Sequence, residues 1–333
     1  MHAITVRPTD KTDSKGRHRP GPECIEWTEV PTPKPGPGEV LVKVKAAGIN
    51  RGDLLQRQGL YPPPKGVSET MGLEVTGVIS SLGQDVTGWS EDDEVIALLA
   101  GGGYAEYVIV PAGQLLPIPE GIDPVTASTL IEVTATVISN MDHVGLARGE
   151  TFLVHGGAGG IGQFAIQYAK SLECTVITTC GTARSRSSAA LSVPTSPSTI
   201  TRTGLPASKT LRGVVVPTSS STSWALSTST STSMLSLLAG VSTSLECRAA
   251  SRESSILQSF STSAPSSPLL ACGLAPLKKK AKICQRVREV AWPLYTNGSI
   301  KPAPVESFPM SEAGRAHERL ESGEVLGKVA LTL

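Results

Sequence analysis

Hydrophobic and polar positions follow three regimes along the 333 residues. From Met1 to about Thr182 the pattern is that of an ordinary globular protein. Val40–Ala46 alternates apolar and basic side chains, the period of a strand with one buried face. Glu74–Ser80, Glu94–Leu99 and Tyr104–Val110 read as further strands, separated by Gly and Asp turn residues. Several short strands punctuated by turns predict an antiparallel, barrel-like β domain. After the Pro/Gly punctuation of Pro117–Pro124, Val125–Asp142 reads as one helix that ends near Gly145–Gly149. Thr151–His155 is a short apolar strand, Gln163–Leu172 is helical and Thr175–Cys180 is a second strand. The third regime, Ala281–Leu333, has helical patterns over Ile283–Tyr295 and Ser311–Ser322, the latter stopped by Gly323, and a final strand within Val325–Leu333.

The second regime, about Ala183 to Lys280, breaks this order. Roughly four residues in ten from Ala183 to Leu270 are Ser or Thr, and Glu246 and Glu253 are its acidic residues. No amphipathic period runs through Thr218–Ser223 or Ser227–Ser233. A modified or disordered linker is the plain reading of such composition, but a linker of that length inside a compact domain is unusual. A reading frame displaced by one base is the alternative. Ser codons that begin TC then yield Phe, Leu, Ile or Val, and Thr codons yield Asp, Asn, His or Tyr. Thr218–Ala225 then permits Asp-Val-Val-Leu-Asp-Ile-Val-Gly, a buried parallel strand, and Lys278-Lys279-Lys280 permits Glu-Glu-Lys before the normal frame resumes at Ala281. Ser and Thr cannot supply the apolar surface that parallel strands bury on both faces. The expectation is that residues 184–280 are frame-shifted and disordered, and that the domain they belong to lacks its further central strands.

Charge and composition narrow the function. A net charge of +1 gives no reason to expect nucleic acid or a membrane surface as partner. Met1–Val6 has no basic start leading into an apolar run, and no stretch is apolar for the length of a bilayer, so no signal peptide or membrane span is expected and the cytoplasm is the default location. Six cysteines (Cys24, Cys174, Cys180, Cys247, Cys272 and Cys284) form no Cys-x-x-Cys pair, which argues against a metal knuckle or a disulfide framework.

The strongest chemical signal lies between Thr151–His155 and the following helix. Gly157, Gly159 and Gly162, with Ala158, Gly160 and Ile161 between them, fit Gly-x-Gly-x-x-Gly in strand–turn–helix context. Glycines there allow a tight turn and let backbone amides approach a dinucleotide diphosphate at a helix N-terminus, where the helix dipole favours an anion. The second strand ends Cys180-Gly181-Thr182-Ala183-Arg184, without the carboxylate that would take the ribose hydroxyls of NAD, which favours NADPH. His155 reads as a packing residue at the strand end, Asp53 as a helix cap and Tyr104 and Tyr107 as packing residues.

The run Gly48-Ile49-Asn50-Arg51-Gly52-Asp53 through Tyr61-Pro62-Pro63-Pro64 resembles the zeta-crystallin-like NADPH quinone oxidoreductases of the medium-chain dehydrogenase/reductase superfamily. Gly72-Leu73-Glu74-Val75, Gly101–Tyr107, the glycine turn, Trp292-Pro293-Leu294 and Glu321–Lys328 carry the same resemblance. It implies an α/β protein with a GroES-like β-barrel catalytic domain over 1–125, completed by about 295–333. A Rossmann doubly wound cofactor domain over 126–294 follows, disrupted over 184–280. It also implies that Asn50 lies beside the nicotinamide or acceptor and that Tyr61 lines the acceptor pocket, with Thr136 as a nicotinamide-ribose contact and Gly181 at the cofactor. A homodimer is implied by the family and put in doubt by the altered middle segment. Zinc-dependent relatives carry Cys at the place of Asn50 and Gly-His-Glu at Gly72-Leu73-Glu74, so no metal is expected here. Hydride transfer to an electron-poor quinone or enone fits that limit. Alternatives are an enone or alkenal reductase of the same fold, a non-catalytic nucleotide-binding module, or an inactive product of a damaged gene.

Overall fold

The computed structural model describes residues 1–12, 16–179, 187, 211–214 and 277–333. Its first unit is a seven-stranded sheet in the order β11-β12-β3-β4-β5-β7, with β6 paired to β3. The strands are β3 (Glu39–Ile49), β4 (Glu74–Leu82), β5 (Glu94–Leu98), β6 (Tyr107–Pro111), β7 (Leu115–Pro117), β11 (Val305–Pro309) and β12 (Lys328–Thr332). All pairs are antiparallel except β11 with β12. A two-stranded ribbon, β1 (His2–Val6) with β2 (Ile25–Glu29), lies outside this sheet. The alternation in Val40–Ala46 thus marks a real strand, extended at both ends, and the β ribbon is an element that the pattern did not announce.

The second unit is a parallel sheet in the order β10-β8-β9, formed by β8 (Thr151–His155), β9 (Thr175–Thr179) and β10 (Leu211–Val214). Helices α3 (Ile131–Val144), α4 (Gly160–Ser171) and α5 (Leu277–Val290) belong to it. The expectation of a frame-shifted, disordered stretch over 184–280 falls mostly outside the described residues. Two short pieces of it are described. Leu211–Val214 pairs residue for residue with Thr151–Val154, which adds a third parallel strand, and α5 begins at Leu277.

The units share one wall. In β5 and the residue after it the side chains alternate between two cores: Val95, Ala97 and Leu99 join Val42, Val75, Ile79 and Leu331 inside the barrel unit. Ile96 and Leu98 join Ile131, Ile138, Phe152, Phe164, Val287 and Trp292 on the other side. The two-residue period of a strand therefore joins barrel and cofactor sheet at β5, since successive side chains point to opposite faces.

Two single helices of the sequence reading are pairs in the structure. Val125–Asp142 is α2 (Pro124–Ala127) followed by α3, and Ile283–Tyr295 is the end of α5 followed by α6 (Trp292–Thr296). Pro293 in the first turn of α6 explains the second break, because proline has no amide to continue the preceding ladder. The first break has a tertiary cause. The Glu132 amide donates to Glu74 Oε2 at 3.0 Å, so α3 starts anew with a carboxylate of β4 at its N-terminus.

Candidate functional site

The glycine turn is closed by its own backbone. Gly159 N–H donates to the Gly156 carbonyl and Gln163 N–H to that of Gly159. A Cβ on Gly162 would sit 2.3 Å from Gly156 O and 2.6 Å from Gly157 Cα, and one on Gly157 would sit 2.3 Å from Thr178 Oγ1. At Gly159, by contrast, a Cβ would meet one atom, Gly156 O at 3.8 Å, so that face is open. Two glycines are thus demanded by close approach and the middle one leaves room for a ligand. The first amides of α4 have no partner in their own helix, which leaves them to a ligand in that room. This cradle fits a dinucleotide diphosphate.

The turn reaches the barrel through the chain's last strand. Gly159 forms a parallel bridge with Gly327, and a Cβ on Gly160 would lie 2.6 Å from Lys328 Cδ. Lys328 is buried, and its ammonium donates to Asn50 Oδ1 at 2.5 Å and to Glu74 Oε1 at 2.9 Å. Asn50 Nδ2 donates to the same Glu74 oxygen at 2.9 Å. Gly48 makes room for this carboxylate, because a Cβ there would stand 2.5 Å from Glu74 Oε1. The structure thus links Asn50 to the glycine turn through Lys328, beside a small cleft. Thr129, Leu130, Val133, Phe164, Tyr295, Lys301 and Ala303 complete its wall around Gly160 and Lys328.

Asn50 is held from behind as well. It is the N-cap of α1 (Arg51–Arg57), and its amide donates to Asp53 Oδ2 at 2.7 Å. Asp53, fully buried, also accepts from Gly72 N–H at 3.0 Å and from the Tyr104 hydroxyl at 3.0 Å. Asp53 is therefore a cap, and Tyr104 is more than a packing residue. Burial pushes the Asp53 carboxyl up to about 7, against the pull of these three donors. Burial also raises Glu132, with the Glu74 charge adding to it, and raises Tyr104 and Tyr295. His155, half-buried at the end of β8, is lowered by the same desolvation.

The other sequence-marked residues divide. Tyr61 is half-buried, its ring 3.9 Å from the place a Cβ on Gly52 would take in the first turn of α1. Ala158 is buried in the turn, and Ile161 packs against the core beneath it. Thr136 donates to Glu132 Oε1 at 3.0 Å, and the α3 side chain lining the cleft is Val133, one turn earlier. Gly181 lies outside the described residues. Lys328, Glu74 and Glu132 were not singled out as site residues in the sequence. The available signal was a charge placed within strands whose other positions are apolar, Glu74 at the head of Val75-Thr76-Gly77-Val78 and Lys328 at the head of Val329-Ala330-Leu331.

A divalent metal does not fit here. Leu73 offers no donor, and the Lys328 ammonium already sits on the Glu74 carboxylate, where a second cation would meet like charge. Among the described residues no three His, Cys, Asp or Glu side chains come together as a metal would need. No helix among them is long and apolar enough to cross a membrane.

An antiparallel barrel joined to a parallel, glycine-turn sheet defines the alcohol-dehydrogenase class of two-domain fold. Residues 36–120 match the alcohol dehydrogenase GroES-like domain, and residues 248–331 match the family described as zinc-binding dehydrogenase. Each of the two models covers about a quarter of the chain, and over these stretches the chain is similar to alcohol-dehydrogenase-type proteins. It is 36% identical over 155 residues to prostaglandin reductase-3 of Bos taurus, covering 46% of this chain and 41% of that one. It is 36% identical over 162 residues to a quinone oxidoreductase of Pseudomonas aeruginosa, covering 48% and 49%. The matched stretch thus spans about half or less of these relatives. The Escherichia coli quinone oxidoreductase solved with NADPH shares the fold over the whole of both chains, with a TM-score of 0.69 and 23% identity.

Proposed function

We propose that this chain reduces quinones with NADPH, by hydride transfer without a metal. The observation that carries the reading is the open glycine cradle at the N-terminus of α4, one residue's reach from the buried Lys328–Glu74–Asn50 cluster. The cofactor, when bound, supplies the hydride. Gly157–Gly162 and the first amides of α4 would hold its diphosphate. Leu130, Val133, Phe164 and Ala303 would keep water from the reacting face, and an acceptor that is already electron-poor needs no Lewis acid. Asn50, held by Lys328 and Glu74, would present its side-chain amide to the acceptor, and Tyr61 would cover the acceptor side. The absence of a carboxylate after β9 supports NADPH over NADH, as does the NADPH in the Escherichia coli relative.

Reduction of an activated carbon–carbon double bond is the second reading, favoured by the similarity to prostaglandin reductase-3. NADPH oxidation followed with a quinone and with an enal tests both. Faster turnover of the quinone is expected, and turnover of the enal alone would replace the first reading by the second. The proposed location is the cytoplasm and the proposed assembly a homodimer, which sedimentation of the purified chain tests.

The stretch from about 183 to 280 is proposed to be written in a shifted frame. Its Ser/Thr content and the ordered codon reconstruction support this, whereas the second family match begins at residue 248 and so speaks for the written frame over 248–280. Sequencing the gene across both edges decides it: an unbroken frame encoding these residues would end the proposal.

A further inference from the structure

The Asn50 amide could face the cleft in either of two orientations, with oxygen and nitrogen exchanged, and an acceptor would feel opposite polarity from the two. The surrounding charges distinguish them. In the orientation present, Oδ1 accepts a hydrogen bond from the Lys328 ammonium at 2.5 Å and Nδ2–H donates one to Glu74 Oε1 at 2.9 Å. Exchanging the two atoms would set an N–H against an ammonium and a carbonyl oxygen against a carboxylate. Both contacts are buried, where such clashes are screened little. Neither charge can turn away. Glu74 Oε2 is tied to the Glu132 amide at 3.0 Å, and the Lys328 stem is packed on Gly160. The Asn50 backbone is pinned by Asp53 at 2.7 Å.

We infer that Glu74 and Lys328 are positioning residues that fix the polarity of the Asn50 amide, leaving its second Nδ2–H as the donor offered to the acceptor's carbonyl oxygen. An amide has two N–H donors, and Glu74 uses one. The remaining donor is fixed in direction before the acceptor arrives. It strengthens as hydride addition places negative charge on that oxygen, whereas a freely flipping amide would spend part of its time presenting a lone pair there. Glu74 and Lys328 thus act through Asn50, and their charges cancel so that neither is left buried and uncompensated. This inference rests on the proposed reduction of a carbonyl-bearing acceptor.

A mutant cycle on the full-length protein tests it. The charge-neutral double variant Glu74→Gln/Lys328→Met is combined with Asn50→Ala, reading kcat with a quinone, the Kd for NADPH and the primary isotope effect with NADPH deuterated at the transferred position. The double variant and Asn50→Ala are each expected to lower kcat by about a hundredfold and to raise the isotope effect. The Kd for NADPH should stay within about fivefold, and the triple variant should fall no more than about threefold further. Multiplying penalties, or a double variant with wild-type kcat, would overturn the inference. A measurement on the wild-type chain does not depend on the variants folding. The protein has three asparagines, Asn50, Asn140 and Asn297, so selective 15N labelling resolves each side chain. Asn50 is expected to show two inequivalent Nδ2 protons in slow exchange with solvent. Exchange as fast as that of exposed Asn297 would refute a fixed amide. A wild-type protein that turns over no quinone would remove the proposed function, while the labelled Asn50 would still judge the positioning.

Discussion

The two sides of the cleft are built by opposite means. The cofactor side is made of backbone: a turn in which Gly157 and Gly162 lack side chains because atoms stand where Cβ would be. The acceptor side is made of charge: Glu74, Asp53 and Lys328, all buried, fix Asn50 through hydrogen bonds from three separate stretches of chain. A backbone site tolerates no added atom but needs no partner. A charged site tolerates reshaping but not the loss of one member. The difference teaches that the two halves fail differently, one by steric exclusion and the other by stranding a charge.

The sharpest break of that contrast is Gly162→Val. Its Cβ meets main-chain atoms that cannot move aside, and NADPH affinity measured by calorimetry should fall more than about a hundredfold. Next is Lys328→Met, which leaves the fully buried Glu74 carboxylate without its cation. Denaturant unfolding should show a loss of about 3–5 kcal/mol, and adding Glu74→Gln should recover most of it, which no second change could do for Gly162→Val.

A subtler test uses pH, because Asp53 and His317 pull in opposite directions. His317, beside Tyr104 and within 3.2 Å of Arg57, is lowered to about 3 by burial and, secondarily, by that guanidinium. Between that value and its ordinary 6.5 the folded chain holds fewer protons than the unfolded one, so stability rises with pH. Asp53, raised from 3.8 to about 7, holds more protons when folded, so stability falls as pH rises through that window. The two slopes oppose each other from 3.8 to 6.5. Urea unfolding across that range should therefore be flatter in the wild type than in either variant. Asp53→Asn should tilt the profile upward with pH and His317→Gln downward; two unchanged profiles would show that neither group titrates in that range.

The smallest effect is expected at Thr136→Val. It removes one hydrogen bond to Glu132 and should cost about 1 kcal/mol of stability. A several-fold weaker NADPH Kd alongside would support the ribose contact implied for this residue, and an unchanged Kd would remove it.

How far the sequence could be read follows the same division. The strand–glycine turn–helix unit from Thr151 to Ser171 was legible because its constraints are local, and β3, β4 and β5 because a half-buried strand writes its period into adjacent residues. The break between α2 and α3 was not legible, since its cause is a carboxylate 58 residues away. Lys328 appeared only as part of a familiar string; its partner Asn50 lies 278 residues earlier, and no local pattern records such a contact.

By itself, the amino-acid sequence determined the backbone half of the cleft: a turn that only glycines permit, at the start of a helix, between strands of the right period. Tertiary structure alone decided the charged half. The fold had to place β12 beside β3 and against the glycine turn before Lys328 could reach both Asn50 and Glu74. The physical reason is range: steric limits act between neighbours in the chain, whereas a buried charge is defined by whichever distant group the packing sets against it.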